Sequence, residues 1–196
     1  KAPYAADKGK LPVIAIPTTA GTGSECTRFT VITDAERDEK MLIAGLGGVP
    51  LAAIVDYELT FTVSARTTAD TGVDSLTHAL EAYISKRANP VSDALALSAM
   101  TLIATHIRTA YTDPRNAVAR EGMMLGATEA GLAFSNSSVA LVHGMSRPIG
   151  AHFHVPHGLS NAMLLPAITR YSVQGAEARY AEAARRVGFA ATSDSD

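Results

Sequence analysis

The rhythm of apolar and polar positions changes once along this chain, near Thr62. Before that point apolar residues come in short runs at 13–16, 29–33, 41–44 and 51–55, punctuated by Pro17, the polar turn DAERDEK and Asp56. Runs of this length bounded by turn residues predict short strands. The run at 13–16 is apolar throughout and predicts a buried strand, of the parallel type that needs neighbours on both sides. LPVIAIPTT begins at Leu11 with no strand or helix expected before it, and the chain stops in ATSDSD after a helical pattern. The chain is therefore expected to be the middle of a longer protein.

After Thr62 apolar and small residues recur at helical spacing. They predict a helix over 67–86, with Thr67 or Thr68 as N-cap and a break at Asn89 and Pro90. A second helix is predicted over 92–111, closed by the DPRN turn, and a third over 117–134, punctuated by SNSS. A fourth carries His143 and gives way to a loop over 148–156. A fifth starts near His157 and runs to Leu165, and the last covers 174–187. A β-containing part (1–61) thus precedes an all-helical part (62–196).

Composition narrows the function classes. The 196 residues are 47% hydrophobic and 18% charged, enough for a sizeable core divided between two small domains. Net charge is −2 and the 17 basic residues are scattered, which argues against a nucleic-acid surface or a polybasic membrane anchor. No apolar run reads as long enough to span a membrane, and KAPYAADKGK lacks the apolar stretch of a signal peptide. The single cysteine, Cys26, rules out an internal disulfide framework and fits a reducing cytoplasm.

Two stretches carry candidate metal chemistry. In GVDSLTHALEAY, Asp74 and His78 are spaced i, i+4, which puts both on one helix face. In VHGMSRPIGAHFHVPHG, His143 falls in an apolar helical run and His157 follows Pro156. Three imidazoles and one carboxylate suit a divalent transition ion and can leave a position open for substrate. Singly, each residue has an ordinary reading: Asp74 accepting from His78 one turn on, His143 as a satisfied core histidine, His157 as a helix entry. The weight lies in the four together. A third motif, PTTAGTGSE at 17–25, offers threonine hydroxyls, glycines and backbone N–H groups to an anion. It is neither a P-loop nor GxGxxG, and a solvated turn explains it equally well. His106 reads as solvated, and Cys26 as an unactivated thiol.

In order and spacing, PTTAGTGSE, GVDSLTHALEAY and LVHGMSRPIGAHFHVPHGLSNAMLLP resemble the iron-containing (group III) alcohol dehydrogenase family, over about 11–189. The resemblance implies an α/β portion, part of a dinucleotide-binding domain, followed by an all-α metal-binding domain in a dehydroquinate synthase-like architecture. It implies Fe²⁺ or Zn²⁺ on Asp74, His78, His143 and His157. It also implies NAD(H) or NADP(H) against Thr18, Thr19, Thr22, Thr27, Lys40 and Leu59. The expected enzyme is a cytoplasmic homodimer or larger assembly acting on a small alcohol, aldehyde or ketone. Hydride would pass between the carbinol carbon and nicotinamide C4 while the metal polarises the oxygen. The family's glycine-rich pyrophosphate segment and its NAD/NADP-discriminating residue lie upstream of anything in this chain.

One position departs from the family pattern. Several members carry a histidine four residues after the third ligand, and here that residue is Arg147. A guanidinium cannot relay a proton, but it grips carboxylate or phosphate. Arg147 is therefore expected either to meet an acidic group on the substrate or to cap the end of the His143 helix. His154, with His152 beside it, stands as candidate proton carrier, supporting group or plain loop residue. Three rivals share these residues: a dehydroquinate synthase-like lyase, a metal-independent maleylacetate reductase-like enzyme, and a non-catalytic metal-binding fragment. VHGMSRPIGAHFHVPHG favours the dehydrogenase.

Overall fold

The computed structural model describes residues 4–6, 11–37, 39–191 and 193–195. Most of KAPYAADKGK, Asp38 of the DAERDEK turn and two residues of the ATSDSD tail lie outside the described residues.

Among the described residues two small sheets come first. Strands β1 (Tyr4–Ala5), β3 (Phe29–Asp34) and β4 (Glu39–Ala44) make the first, with β4 in the middle. β3 and β4 are antiparallel, Phe29 opposite Ala44 and Asp34 opposite Glu39, and β1 runs parallel to β4 with Tyr4 opposite Ile43. The second sheet pairs β2 (Ile14–Ala15) with β5 (Ala52–Ala53) in parallel. A strand does precede Leu11, contrary to the reading of the sequence, because a two-residue strand is too short to leave a pattern. The run at 13–16 is also not buried. Val13, Ile14 and Ile16 are exposed, as are Leu51 and Ile54 beside them. Two paired strands with no described layer over either face cannot cover their side chains.

Among the described residues six helices follow: α1 (Ala65–Ile84), α2 (Pro90–Thr112), α3 (Ala117–Asn136), α4 (Leu141–Phe153), α5 (His157–Ser172) and α6 (Glu177–Arg186). The core lies where α1, α2 and α3 meet through Ala79, Ala82, Ala96, Ala99, Met100, Ile103, Met123 and Ala127. Alanines let the helix axes approach closely, and the flexible methionines fill the gaps.

Helix starts differ from expectation in instructive ways. The cap of α1 is Ser64, whose Oγ accepts from the Thr67 N–H at 3.1 Å. Thr67 and Thr68 lie inside the helix, and buried Thr68 accepts from Arg120 Nη1 at 2.9 Å. Asn89 is not only a breaker but the N-cap of α2. Its Oδ1 takes the N–H groups of Val91 and Ser92, and Ser92 Oγ takes the Asn89 N–H, a reciprocal capping box with Pro90 at the first helical position.

The predicted loop at 148–156 is mostly helix. α4 runs through Pro148 to Phe153 and stops at His154, whose φ of 53° is left-handed. Pro148 is exposed, so the Gly144 carbonyl that loses its helical donor does so at the surface, where water serves. α5 likewise passes an exposed Pro166 and ends at Ser172 rather than Leu165. A further correction concerns α2, which by length and composition is apolar enough to cross a membrane. It carries Asp93 paired to Arg179 and packs Ala96, Ala99, Met100 and Ile103 into the core with α1 and α3.

Candidate metal centre

Three helices converge on one point. α1 presents Asp74 and His78 one turn apart, α4 presents His143 in its first turn, and α5 begins with His157. One ligand atom from each of the four lies within 4.8 Å of every other. Asp74, His78 and His143 are buried and His157 is half-buried. His143 Nε2 stands 3.4 Å from Asp74 Oδ1, and His157 Nε2 stands 3.7 Å from the same oxygen. The His78 ring lies between Phe134 and His143, with ring centres 4.5 Å away on each side.

Two residues that sequence reading passed over complete the cluster. Glu81, buried on α1, receives His143 Nδ1 at 2.6 Å. Asn161, fully buried one turn into α5, has Nδ2 2.6 Å from Asp74 Oδ1, 3.0 Å from His143 Nε2 and 3.3 Å from His157 Nε2. Helical spacing held the signal for both: Glu81 is three residues beyond His78, and Asn161 four beyond His157.

The electrostatics follow from burial and neighbours. Burial alone would raise the Asp74 carboxyl, but the imidazoles of His78, His143 and His157 outweigh it and hold it well below the usual carboxylate range. Burial pushes His78 down to about 4, against the opposing pull of Asp74. Burial also lowers His157, helped by the charges of His143, Lys40 and Arg147. His143 goes the other way: burial disfavours its charge, yet hydrogen bonds to Asp74 and Glu81 raise it. Glu81, which burial would raise, is held low by His143 and the Val142 N–H.

This donor set fits a divalent cation. With both imidazoles neutral and their Nε2 atoms free of hydrogen, the state a cation binds, Asp74 Oδ1, His143 Nε2 and His157 Nε2 are three acceptors facing one amide group, which has only two hydrogens to give. Nδ1 of His78 is buried with no hydrogen-bond partner among the described residues. Converging lone pairs left short of protons are what a metal ion satisfies, and nitrogen with carboxylate oxygen suits Fe²⁺ or Zn²⁺.

The Thr/Gly turn packs beside this cluster. Ser75, the neighbour of Asp74, donates to the Gly21 carbonyl at 3.0 Å. Gly23, at φ 61°, crosses α3 at Gly131 so closely that a Cβ would stand 2.6 Å from the Gly131 Cα. Thr18 and Thr22 are exposed on the turn, and Thr19 is half-buried. Thr27 is enclosed, its hydroxyl donating to the Phe29 carbonyl at 3.3 Å. Leu59 is partly exposed in a short 3₁₀ turn. Lys40 on β4 reaches α4, where a Cβ at Gly150 would lie 2.9 Å from its Nζ. Arg147 sits within α4 rather than at its end, so it does not cap that helix. His154 is exposed at the α4 terminus. Cys26 donates to the Gly23 and Thr128 carbonyls, and burial followed by the Glu25 charge pushes its thiol up to about 12, in line with an unactivated cysteine. His106 is half-buried against Gly122 rather than solvated.

Comparison with known proteins places this arrangement. Residues 68–196 match the model of the Fe-containing alcohol dehydrogenase family, C-terminal part, and residues 2–57 match that of iron-containing alcohol dehydrogenase. A probable alcohol dehydrogenase, EutG of Escherichia coli (strain K12), is 42% identical over 187 residues, covering 95% of this chain and 47% of its own. A 1,3-propanediol oxidoreductase crystal structure superimposes with a TM-score of 0.92 at 41% identity, over 96% of this chain and 49% of that one. A sulfoacetaldehyde reductase from Bifidobacterium kashiwanohense, solved in complex with NAD+, gives 0.84 at 37% identity, over 91% and 47%. The chain spans about half the length of the curated relatives it matches.

Proposed function

Because this chain belongs to the Fe-containing alcohol dehydrogenase family, we propose that it carries the metal centre of an NAD(P)-linked alcohol dehydrogenase, working also as an aldehyde or ketone reductase. The observation that supports this reading is the convergence of Asp74, His78, His143 and His157, one ligand atom of each within 4.8 Å of every other. In this reading residues 1–61 are the last part of a nucleotide-binding domain, and 62–196 are a helical metal-binding domain. The protein works in the cytoplasm as a homodimer or larger assembly.

When bound, the cation supplies Lewis-acid polarisation of an alcohol or carbonyl oxygen, and the nicotinamide supplies or accepts the hydride. The chain's residues do the rest. Asp74 brings a negative charge to the site, and burial keeps His78 neutral, so its nitrogen is ready as a donor. Phe134 walls off one face of His78 from water. In this reading the turn at 17–25, held against α1 by Ser75, meets the cofactor through Thr18, Thr19 and Thr22, with Thr27 just beyond them. Lys40, whose charge reaches His157, carries positive potential toward the same side and Leu59 offers an apolar contact. In this reading His154, exposed at the end of α4, exchanges the proton with solvent.

Arg147 bears on substrate choice. Its charge and that of Lys40 both act on His157, and in this reading they act on a substrate at the centre as well. An acidic group on the aldehyde or alcohol fits there, and a relative of this chain is named for sulfoacetaldehyde, a sulfonated aldehyde. Metal-loaded protein should oxidise small primary alcohols with NAD or NADP, and chelation should abolish the turnover. Turnover untouched by chelation would instead support the metal-independent reductase reading.

A further inference from the structure

We infer that Glu81 is the positioning residue of the metal centre: it fixes His143 so that Nε2, not Nδ1, faces the cation, and it anchors the helix that bears His143. The inference rests on the metal-centre reading above. Glu81 stands on α1 on the same face as Asp74 and His78, one turn further on. Its side chain is buried, with 1% of the residue exposed. Oε1 accepts from the Val142 N–H at 2.5 Å, and Oε2 accepts from His143 Nδ1 at 2.6 Å and, at longer range, from the His143 N–H at 3.4 Å.

Two consequences follow from these contacts. Val142 and His143 lie in the first turn of α4, whose N-cap, Ala140, has no side chain able to accept a hydrogen bond. Glu81 therefore supplies from α1 the cap that α4 lacks, satisfying two of the backbone donors a helix start leaves open. A carboxylate also only accepts, so the hydrogen on the His143–Glu81 contact must sit on Nδ1. That leaves the lone pair of the neutral ring on Nε2, the atom 3.4 Å from Asp74 Oδ1. One helix thus contributes two of the four candidate ligands and holds the third in register and in tautomer. A carboxylate behind a metal-facing imidazole is a common way to fix its orientation and strengthen it as a donor.

Glu81→Gln separates this role from simple packing, because the side chain keeps its size. A glutamine has one accepting oxygen and one donating NH₂. With its oxygen toward the Val142 N–H, the NH₂ faces His143 Nδ1 and drives the ring proton to Nε2, where the cation needs a lone pair. With its oxygen toward Nδ1, the NH₂ meets the Val142 N–H, donor against donor, and the start of α4 loosens.

The test uses the full chain, as wild type and Glu81→Gln, with ¹⁵N-histidine NMR of the metal-free protein at alkaline pH and Zn²⁺ titration against a competing chelator. Wild-type His143 is expected in the Nδ1–H form. Glu81→Gln is expected to keep its far-UV circular dichroism and lose about 10- to 100-fold in Zn²⁺ affinity. An Nε2–H ring in wild type overturns the inference, and so does a Glu81→Gln protein that binds Zn²⁺ as tightly as wild type. If the variant does not fold, the wild-type tautomer alone decides. A wild-type chain that binds no Zn²⁺ would count against the metal centre itself, while the tautomer would still judge Glu81.

Discussion

Gly158, the second residue of α5, lies so close to Asp70 of α1 that a Cβ on it would stand 2.2 Å from the Asp70 carbonyl oxygen. The contact falls one turn before Asp74 and one residue after His157, so it sets how near the two candidate ligands can come. Backbone against backbone cannot yield as two side chains can. Gly158→Ala should push the start of α5 off α1, costing about 1–3 kcal/mol in stability as an overpacked contact does. It should also weaken metal binding, because His157 moves with α5. Urea unfolding and Zn²⁺ titration of the variant check both; an alanine tolerated without loss of either would remove this contact from the account.

Metal binding should depend steeply on pH. All the imidazole donors must be neutral to bind, so protons compete with the cation. His143, raised by Asp74 and Glu81, holds its proton above the ordinary histidine range in the metal-free site. His78, lowered by burial to about 4, is neutral well before neutral pH is reached. The sign follows: affinity rises with pH, and it is still rising near neutrality because of His143, not His78. Zn²⁺ dissociation constants measured in a pH series should show this together with proton release on binding. An affinity flat from mildly acidic to mildly alkaline pH would contradict it.

Arg147→Ala should separate acidic from neutral substrates. A charge-assisted contact to a substrate anion is worth about 1.5–3 kcal/mol, so KM for a carboxylated or sulfonated aldehyde should rise roughly tenfold or more. For a simple alcohol or aldehyde KM should barely move. Steady-state kinetics on one substrate of each kind decide the point, and equal effects on both would discard the acidic-substrate reading.

The helical half was legible because its apolar periodicity is long, and Asp74 with His78 sit on it at a spacing that fixes a shared face. That His143 and His157 join them depends on how α4 and α5 fold back on α1, which local spacing does not encode. The resemblance to a family carried that step, and the geometry agrees with it. Pro148 misled because a proline on an exposed helix face costs one surface hydrogen bond while the packing of its neighbours holds the helix. Ser64 was overlooked because three hydroxyl residues, Ser64, Thr67 and Thr68, stand within one turn, and only the chain's path distinguishes the cap from the buried Thr68. Glu81 and Asn161 were missed for a different reason. Their function is to hold other side chains, and the helical spacing that sets them beside His78 and His157 marks a shared face but not a role. The apolar run at 13–16 shows the reverse failure: its composition promises burial, yet burial needs a covering layer.

The proposed function stands on Asp74, His78, His143 and His157 holding one transition ion. Elemental analysis of the protein purified without air or chelator, beside His143→Ala, tests it most directly. About one Fe or Zn per chain is expected in wild type, lost in the variant while the helical circular dichroism persists. Metal absent from both proteins, or retained in full by His143→Ala, would contradict it.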